Sequence, residues 1–243
     1  PGGVGAVTIT KSITIQCDLT TVGLLVAGQN AIVINAGVND TVVLSGLDFE
    51  GIGQGLSGVR ILQAGNVVIR NSSICGFGTS GISFEPVNTG ISLTVENVTI
   101  VDGGVGIRVV PQANVAATFS VNNVLVSNNG SAGLIVASAT NTNLKGTVTS
   151  SLFTGNSGDG IVIGTSSVPS PLQLLIKDTV VNGNQIGLLA TGAATLVQVS
   201  GSKIAHNGTG LSVSSGASLT SFGDNVVVDN GVNGSFTGSI VKK

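Results

Sequence analysis

A small residue followed by an alternating aliphatic segment recurs along the chain: Gly133-Leu134-Ile135-Val136, Gly160-Ile161-Val162-Ile163 and Gly187-Leu188-Leu189-Ala190 follow one another at a constant spacing of 27 residues. Related segments, 23 to 27 residues apart, begin at Ala31, Gly58, Gly81, Gly106 and Gly210. A fixed period of this size is typical of solenoids and other repeat architectures. The alternation within each segment predicts a β-strand that turns one side chain inward and the next outward.

A second alternating segment lies between successive copies of the first, and a small polar residue closes it. The closing residues include Asn71, Asn97, Asn123, Ser150 and Asp178. Asn and Asp tolerate left-handed backbone, so we expect these residues to form a hydrogen-bonded ladder at a corner. Helical spacing is absent, and parallel crossovers are right-handed as a rule. The sequence therefore predicts one all-β domain over residues 1–243, a right-handed parallel β-helix (β-solenoid) of about nine coils.

The composition excludes several classes of protein. Only 8% of the 243 residues are charged while 42% are hydrophobic, which argues against disorder. Nine Lys and Arg against eleven Asp and Glu cannot form a dense surface for phosphates, so we expect no nucleic acid partner. Polar or glycine residues interrupt every hydrophobic segment, so no membrane span is expected.

The chain termini and the cysteines say little about location. Two cysteines, Cys17 and Cys75, cannot form a disulfide framework. The compartment is therefore left open, and a secreted or cell-surface location is compatible with the sequence. The chain begins Pro1-Gly2-Gly3 rather than with Met, which we interpret as a processed or shortened product whose targeting segment would lie outside it.

One edge of the predicted solenoid varies in length. The interval from the first segment to the second ranges from 11 to 16 residues, whereas the return interval is always 11 or 12. The insertions are most evident at residues 137–146 and 164–172. Variable loops on a rigid scaffold often carry binding, so we predict that this loop-bearing edge is the functional surface. Neutral variation of solvated loops is the alternative.

Two groups of charged residues are candidate ligand-binding sites. Arg60 and Arg108 fall in one outward column two coils apart, with Ser83 between them. Glu85 occupies the next outward position after Ser83. Two guanidinium groups around a carboxylate could bind a sugar acid or form a surface salt-bridge network. Arg70 beside Glu96 is expected to form a surface salt bridge. Asp48 and Glu50 point outward from one strand, with carboxyl groups roughly 5 to 9 Å apart, as in glycosidase pairs. A solvated acidic pair is the alternative.

Two outward columns are apolar, and we expect loops or another subunit to cover them. The columns comprise Ile135, Val162 and Leu189, and Leu125, Leu152 and Val180. The first of these predicts a homo-oligomer. The single histidine, His206, lies in a turn, and no motif identifies a catalytic residue, a metal site or a cofactor.

The stretch G-x-V-T-I-T-K-S-I-T-I-x-C at residues 5–17, the I-V-I-N-A at residues 32–36 and the repeated strand starts are similar to a group of bacterial right-handed parallel β-helix repeat proteins. These belong to the pectate-lyase-like superfamily and have no assigned activity. The resemblance covers essentially the whole chain and implies the fold. The Asp-Asp, Gly-His-Gly and Asn-Thr-Asp motifs of polygalacturonases and the Arg-x-Pro-x-x-Arg pattern of pectate lyases are absent, so their catalytic residues are not transferred.

These observations favour a non-enzymatic structural or ligand-binding β-solenoid that binds polysaccharide at its loop-bearing edge. The alternative is a carbohydrate-active lyase or glycoside hydrolase acting on acidic polysaccharide, with Arg60, Glu85 and Arg108, or Asp48 and Glu50, in its site.

Overall fold

The computed structural model describes residues 6–17, 22–165 and 170–241. Within these residues there is no α-helix, and every strand pairs in parallel with its equivalent one coil away. The strands form three ladders, which we name faces A, B and C in the order in which each coil passes through them. Three long strands, β6 (Leu47–Gln63), β7 (Asn66–Phe84) and β8 (Ile91–Val101), bend around corners and contribute to more than one face.

The remaining strands each belong to one face. Face A contains β1 (Val7–Ile9), β4 (Ile32–Asn35), β9 (Val105–Val109), β12 (Ala132–Ser138), β15 (Asp159–Thr165), β18 (Ile186–Thr191) and β21 (Thr209–Ser214). Face B contains β2 (Ile13–Gln16), β5 (Thr41–Ser45), β10 (Ala116–Asn122), β13 (Asn143–Thr149), β16 (Leu172–Lys177), β19 (Thr195–Ser200), β22 (Ser218–Ser221) and β24 (Gly238–Ser239). Face C contains β3 (Val22–Leu25), β11 (Leu125–Ser127), β14 (Leu152–Thr154), β17 (Val180–Asn182), β20 (Lys203–Ala205) and β23 (Val226–Val228).

The core is a set of stacked aliphatic and aromatic columns inside the coil. On face A, Ile61, Phe84, Val109, Val136 and Ile163 follow one another in register, and all five are fully buried. A slip of one residue would turn a whole column out to solvent, so this burial fixes the register. Face A contains nine strands when β6 and β7 are included, and eight turns of the chain separate the first of them from the last. The solenoid therefore has about eight turns rather than the nine coils predicted from the number of strand starts in the sequence.

The corner from face B to face C turns at a single residue in the left-handed region. Asn71, Asn97 and Asn123 have φ values of 49°, 53° and 51°, and Ser150 and Asp178 continue the conformation. Asn97 Nδ2 donates to Asn71 Oδ1 at 3.1 Å, and Asn123 Nδ2 donates to Asn97 Oδ1 at 2.7 Å. The predicted ladder is confirmed for these three residues.

A second asparagine ladder, which the sequence reasoning missed, lies inside the corner from face C to face A. It contains Asn129, Asn156, Asn184, Asn207 and Asn230. Each Nδ2 donates to the Oδ1 of the next, at 2.9 to 3.1 Å. Four of the five are buried, and the amides also bond the backbone of this corner. Because buried amide and backbone groups need partners, the ladder holds successive coils together where the chain turns sharply.

The outward columns lie as predicted but are less exposed than the sequence suggested. Ile135, Val162 and Leu189 stack in register on face A, and all three are half-buried rather than exposed. Their own neighbours in the ladder cover much of each side chain, because adjacent strands are about 4.8 Å apart. The described residues contain no helix that could span a membrane.

Candidate functional site

The structure brings Arg60, Glu85 and Arg108 together on face A. Arg60 and Arg108 flank Ser83 in consecutive register positions. Glu85 Oε2 accepts from Arg60 Nη2 at 3.0 Å and Nε at 3.3 Å, and Glu85 Oε1 accepts from Arg108 Nη1 at 2.7 Å. Ser83 Oγ also donates to Oε1, at 2.6 Å. The predicted neighbours therefore form a connected ion-pair network, in which one carboxylate serves two guanidinium groups.

The surroundings of Glu85 keep it ionised. Its partial burial alone would raise the pKa of this carboxyl, but hydrogen bonds from Ser83 and Arg60 and the charges of both arginines outweigh burial and lower the pKa overall. The arginines remain accessible, with 41% of the Arg60 side chain and 34% of the Arg108 side chain exposed. The cluster thus offers solvent one net positive charge.

Asp48 and Glu50 lie on a different face from this network. They are half-buried on face C, in register with Ser73 and Cys75. Glu50 Oε1 accepts from the backbone N–H of Ile52 at 2.9 Å. Partial burial and the negative charges of Glu50 and Asp102 raise the pKa of the Cys75 thiol. The two predicted groups are therefore separate, one basic and one acidic.

Other residues singled out by sequence lie apart from both groups. Arg70 and Glu96 are in register on face B, but no ion pair joins them in the described part of the chain; Arg70 Nε instead donates to Ser45 Oγ at 3.3 Å. His206 is exposed, with Nε2 4.0 Å from Asp229 Oδ2. Among the described residues, no group of three or more His, Cys, Asp or Glu is placed to hold a metal ion.

The loop-bearing edge is the set of connections from face A to face B. The connection predicted at residues 137–146 is shorter than expected: β12 runs to Ser138 and β13 starts at Asn143, so only residues 139–142 form the loop. The alternating segments continue as strand into what the sequence suggested was an insertion. For the second insertion, residues 164–172, residues 166–169 lie outside the described residues.

A groove runs along face B beside this edge. Two cavities, of about 220 and 200 Å³, adjoin at Lys145, which lines both. Their other lining residues are Gly90, Ile91, Ala116, Ala117, Thr118 and Asn143 on one side, and Gly146, Gln173, Leu174, Leu175, Leu196 and Gln198 on the other. Lys145 is exposed, and within the described parts of the chain its ammonium group has no ion-pair partner. We name this feature the Lys145 groove.

The Lys145 groove and the arginine network flank the same loops. Glu85 begins the connection formed by residues 85–90, and Gly90 at its end lines the groove. Arg108 lies near the end of β9, and Ala116 opens β10 on the groove side of the following connection. A chain-like ligand crossing these loops would therefore meet positive charge on both sides of the edge.

The fold has a match among known families. A family model described as "Right handed beta helix region" matches residues 2–148, which is more than half of the chain. The chain belongs to this family. The β-helix is therefore right-handed, as the sequence predicted.

One solved structure similar to this β-helix is the crystal structure of pectate lyase Pel9A. The TM-score is 0.57 at 14% sequence identity, with 100% of this chain and 66% of that chain covered. At this identity the likeness shows the fold. The β-helix spans 66% of the length of Pel9A. A comparison with curated proteins finds no match.

Lys145 is the residue of the candidate site that sequence reasoning missed. It lies in an outward column of face B between Thr118 and Gln173. Clusters of charged residues are the usual sequence signal of a binding site, and an isolated lysine in an uncharged column does not form one. A signal was present nonetheless, since a lone cation in a column of hydroxyl and amide side chains departs from the pattern around it.

Proposed function

We propose that this β-helix is a non-catalytic polysaccharide-binding protein whose site is the loop-bearing edge. The observation that carries the proposal is the Lys145 groove, which places an exposed cation, without an ion-pair partner among the described residues, between two adjoining cavities. Grooves that bind small or chain-like ligands combine an apolar floor with a few polar groups that fix orientation. Here the half-buried Ala116 and Leu196 supply apolar surface, while Thr118 and Gln173 supply hydrogen-bonding groups.

Sugars match these features. The C–H faces of a sugar ring can lie on aliphatic side chains while its hydroxyl groups bond to amides and hydroxyls. A carboxylate on the sugar would form a charge-assisted hydrogen bond with the Lys145 ammonium group. Arg60 and Arg108, across the loops, add attraction for an acidic chain that extends over the edge.

The state of Glu85 favours binding over catalysis at the arginine network. A general acid at neutral pH needs a raised pKa, whereas the environment of Glu85 lowers its pKa. Both carboxylate oxygens already accept hydrogen bonds. A second candidate function, a lyase or glycoside hydrolase acting on acidic polysaccharide, is favoured by the outward pair Asp48 and Glu50, whose carboxylates are not tied to arginines.

A binding assay run together with a turnover assay tests the proposal. The wild-type protein, Lys145→Ala and the matched control Lys203→Ala would be titrated with acidic oligosaccharides, and the same mixtures would be analysed for shortened products. Lys203 is also an exposed lysine, but it lies on face C. We expect binding by the wild type and the control, about tenfold weaker binding by Lys145→Ala, and no products. Shortened products that the wild type forms and that Asp48→Asn or Glu50→Gln abolishes would overturn the proposal that the protein is non-catalytic.

A further inference from the structure

The dimensions of the Lys145 groove set the length of the ligand that it takes. Ser92, Thr118, Lys145, Gln173 and Leu196 are consecutive register neighbours on face B. Strands are roughly 4.8 Å apart, so these five positions span about 19 Å along the solenoid axis. The groove is thus long enough for several sugar units of an extended chain lying parallel to the axis, and it is open along its length.

The charge along this line is sparse. Lys145 is the one formally charged residue among the described residues that line the two cavities. Its register neighbours are the neutral Thr118 and Gln173, and the next positions are Ser92 and Leu196. The other charged side chains of face B, Arg70, Glu96 and Lys177, lie in the column beside the corner to face C, at the far side of the face.

Sparse charge discriminates between classes of acidic polysaccharide. In a homopolymer of uronic acids every sugar carries a carboxylate, so several would lie along the groove at once. Only one could meet an ammonium group, and any other that turned toward the floor of the groove would lose water against Ala116 or Leu196 without a partner, which is unfavourable. A chain whose anionic sugars are separated by neutral ones places one carboxylate at Lys145 and neutral rings on the apolar floor.

We infer that the Lys145 groove selects a polysaccharide in which anionic sugars alternate with neutral sugars, in preference to a homopolymer of uronic acids. This inference rests on the proposed function, because it specifies the ligand of the same site. The neutral units supply apolar faces and hydroxyl groups to the cavities on either side. The anionic unit fixes the register of the chain by its contact with Lys145.

Calorimetric titration with three oligosaccharides of equal length tests the inference at physiological salt. The probes are a neutral oligosaccharide, an oligosaccharide of alternating uronic acid and neutral sugar, and an oligouronide. We expect the alternating probe to bind most tightly and to lose about tenfold in affinity with Lys145→Ala. Binding of the neutral probe should be unchanged by that substitution.

A gain-of-function variant strengthens the test. Leu196→Lys adds a second cation at one end of the groove, two register positions from Lys145, and should improve oligouronide binding relative to the alternating probe. Tightest binding of the oligouronide by the wild type would overturn the inference while leaving the proposed function intact, as would tightest binding of the neutral probe. Failure of all three probes to bind would refute the proposed function, and the inference with it.

Discussion

The buried asparagine ladder gives a quantitative prediction for Asn184→Ala. Asn184 Oδ1 accepts from the backbone N–H and the Nδ2 of Asn156, at 3.0 and 2.9 Å. Asn184 Nδ2 donates to Asn207 Oδ1 at 3.1 Å and to the backbone carbonyls of Asn182 and Phe153 at 2.8 and 3.2 Å. Truncation removes all five bonds. It leaves two donors of Asn156 short of a partner, at about 1 to 3 kcal/mol for each buried group.

The expected loss in the free energy of unfolding is therefore roughly 2 to 6 kcal/mol. Urea denaturation followed by circular dichroism would measure it as a lower midpoint. Asn97→Gly is the matched control, because Asn97 belongs to the exposed ladder, where water can replace the lost partner, and glycine adopts its left-handed backbone without strain; this change should cost less than about 1 kcal/mol. Equal midpoints for the two variants would refute the claim that burial gives the inner ladder its weight.

Three further predictions concern packing, pH and association. A Cβ on Gly146 would overlap the ring of Phe119 in the core, so Gly146→Ala should cost about 1 to 3 kcal/mol; an unchanged urea midpoint would contradict this packing. The pKa of Glu85 is lowered below its ordinary 4.5, so its contribution to stability is present above that pH and is lost as pH falls through the folded-state pKa. The stability difference between wild type and Glu85→Gln should shrink accordingly in acid, and a difference that grows there would contradict the network. Self-association through the apolar column centred on Val162 predicts a particle larger than 23.9 kDa in light scattering, reduced by Val162→Lys; a monomeric wild type would end that proposal.

The sequence contained enough information for the fold because the pattern that specifies it is local and repeated. Alternation around Arg60, Ser83 and Arg108 correctly predicted one outward column on three successive coils. The left-handed corner at Asn97 was also predictable, since few residue types adopt that backbone without strain. Register, once established in one coil, carries to every other.

The buried ladder was harder to predict because turns of this chain are rich in asparagine. Asn129, Asn156, Asn184 and Asn207 recur with the same period as the strands, but nothing in the residue type distinguishes an amide inside the corner from one in solvent. Burial of these residues depends on how tightly the corner from face C to face A closes. That closure is a property of the folded coil and is not encoded in the residue types of a single turn.

The candidate site was only partly predictable for a similar reason. The sequence placed Arg60, Glu85 and Arg108 side by side. The depth of the Lys145 groove, in contrast, depends on where the loops end and on how far the neighbouring side chains project from face B. Arg70 and Glu96 are a case in which the register was predictable from the sequence but the side-chain contact was not. Their register was correct, yet Arg70 Nε turns to Ser45 Oγ instead, because the rotamer of a long side chain is not set by register.

The most direct test of the proposed function is a crystal structure of the protein soaked with an acidic oligosaccharide. We expect an extended ligand along face B, parallel to the solenoid axis, with one carboxylate within hydrogen-bond distance of Lys145 Nζ and sugar rings against Ala116 and Leu196. A ligand on face C at Asp48 and Glu50, with the Lys145 groove empty, would contradict this expectation.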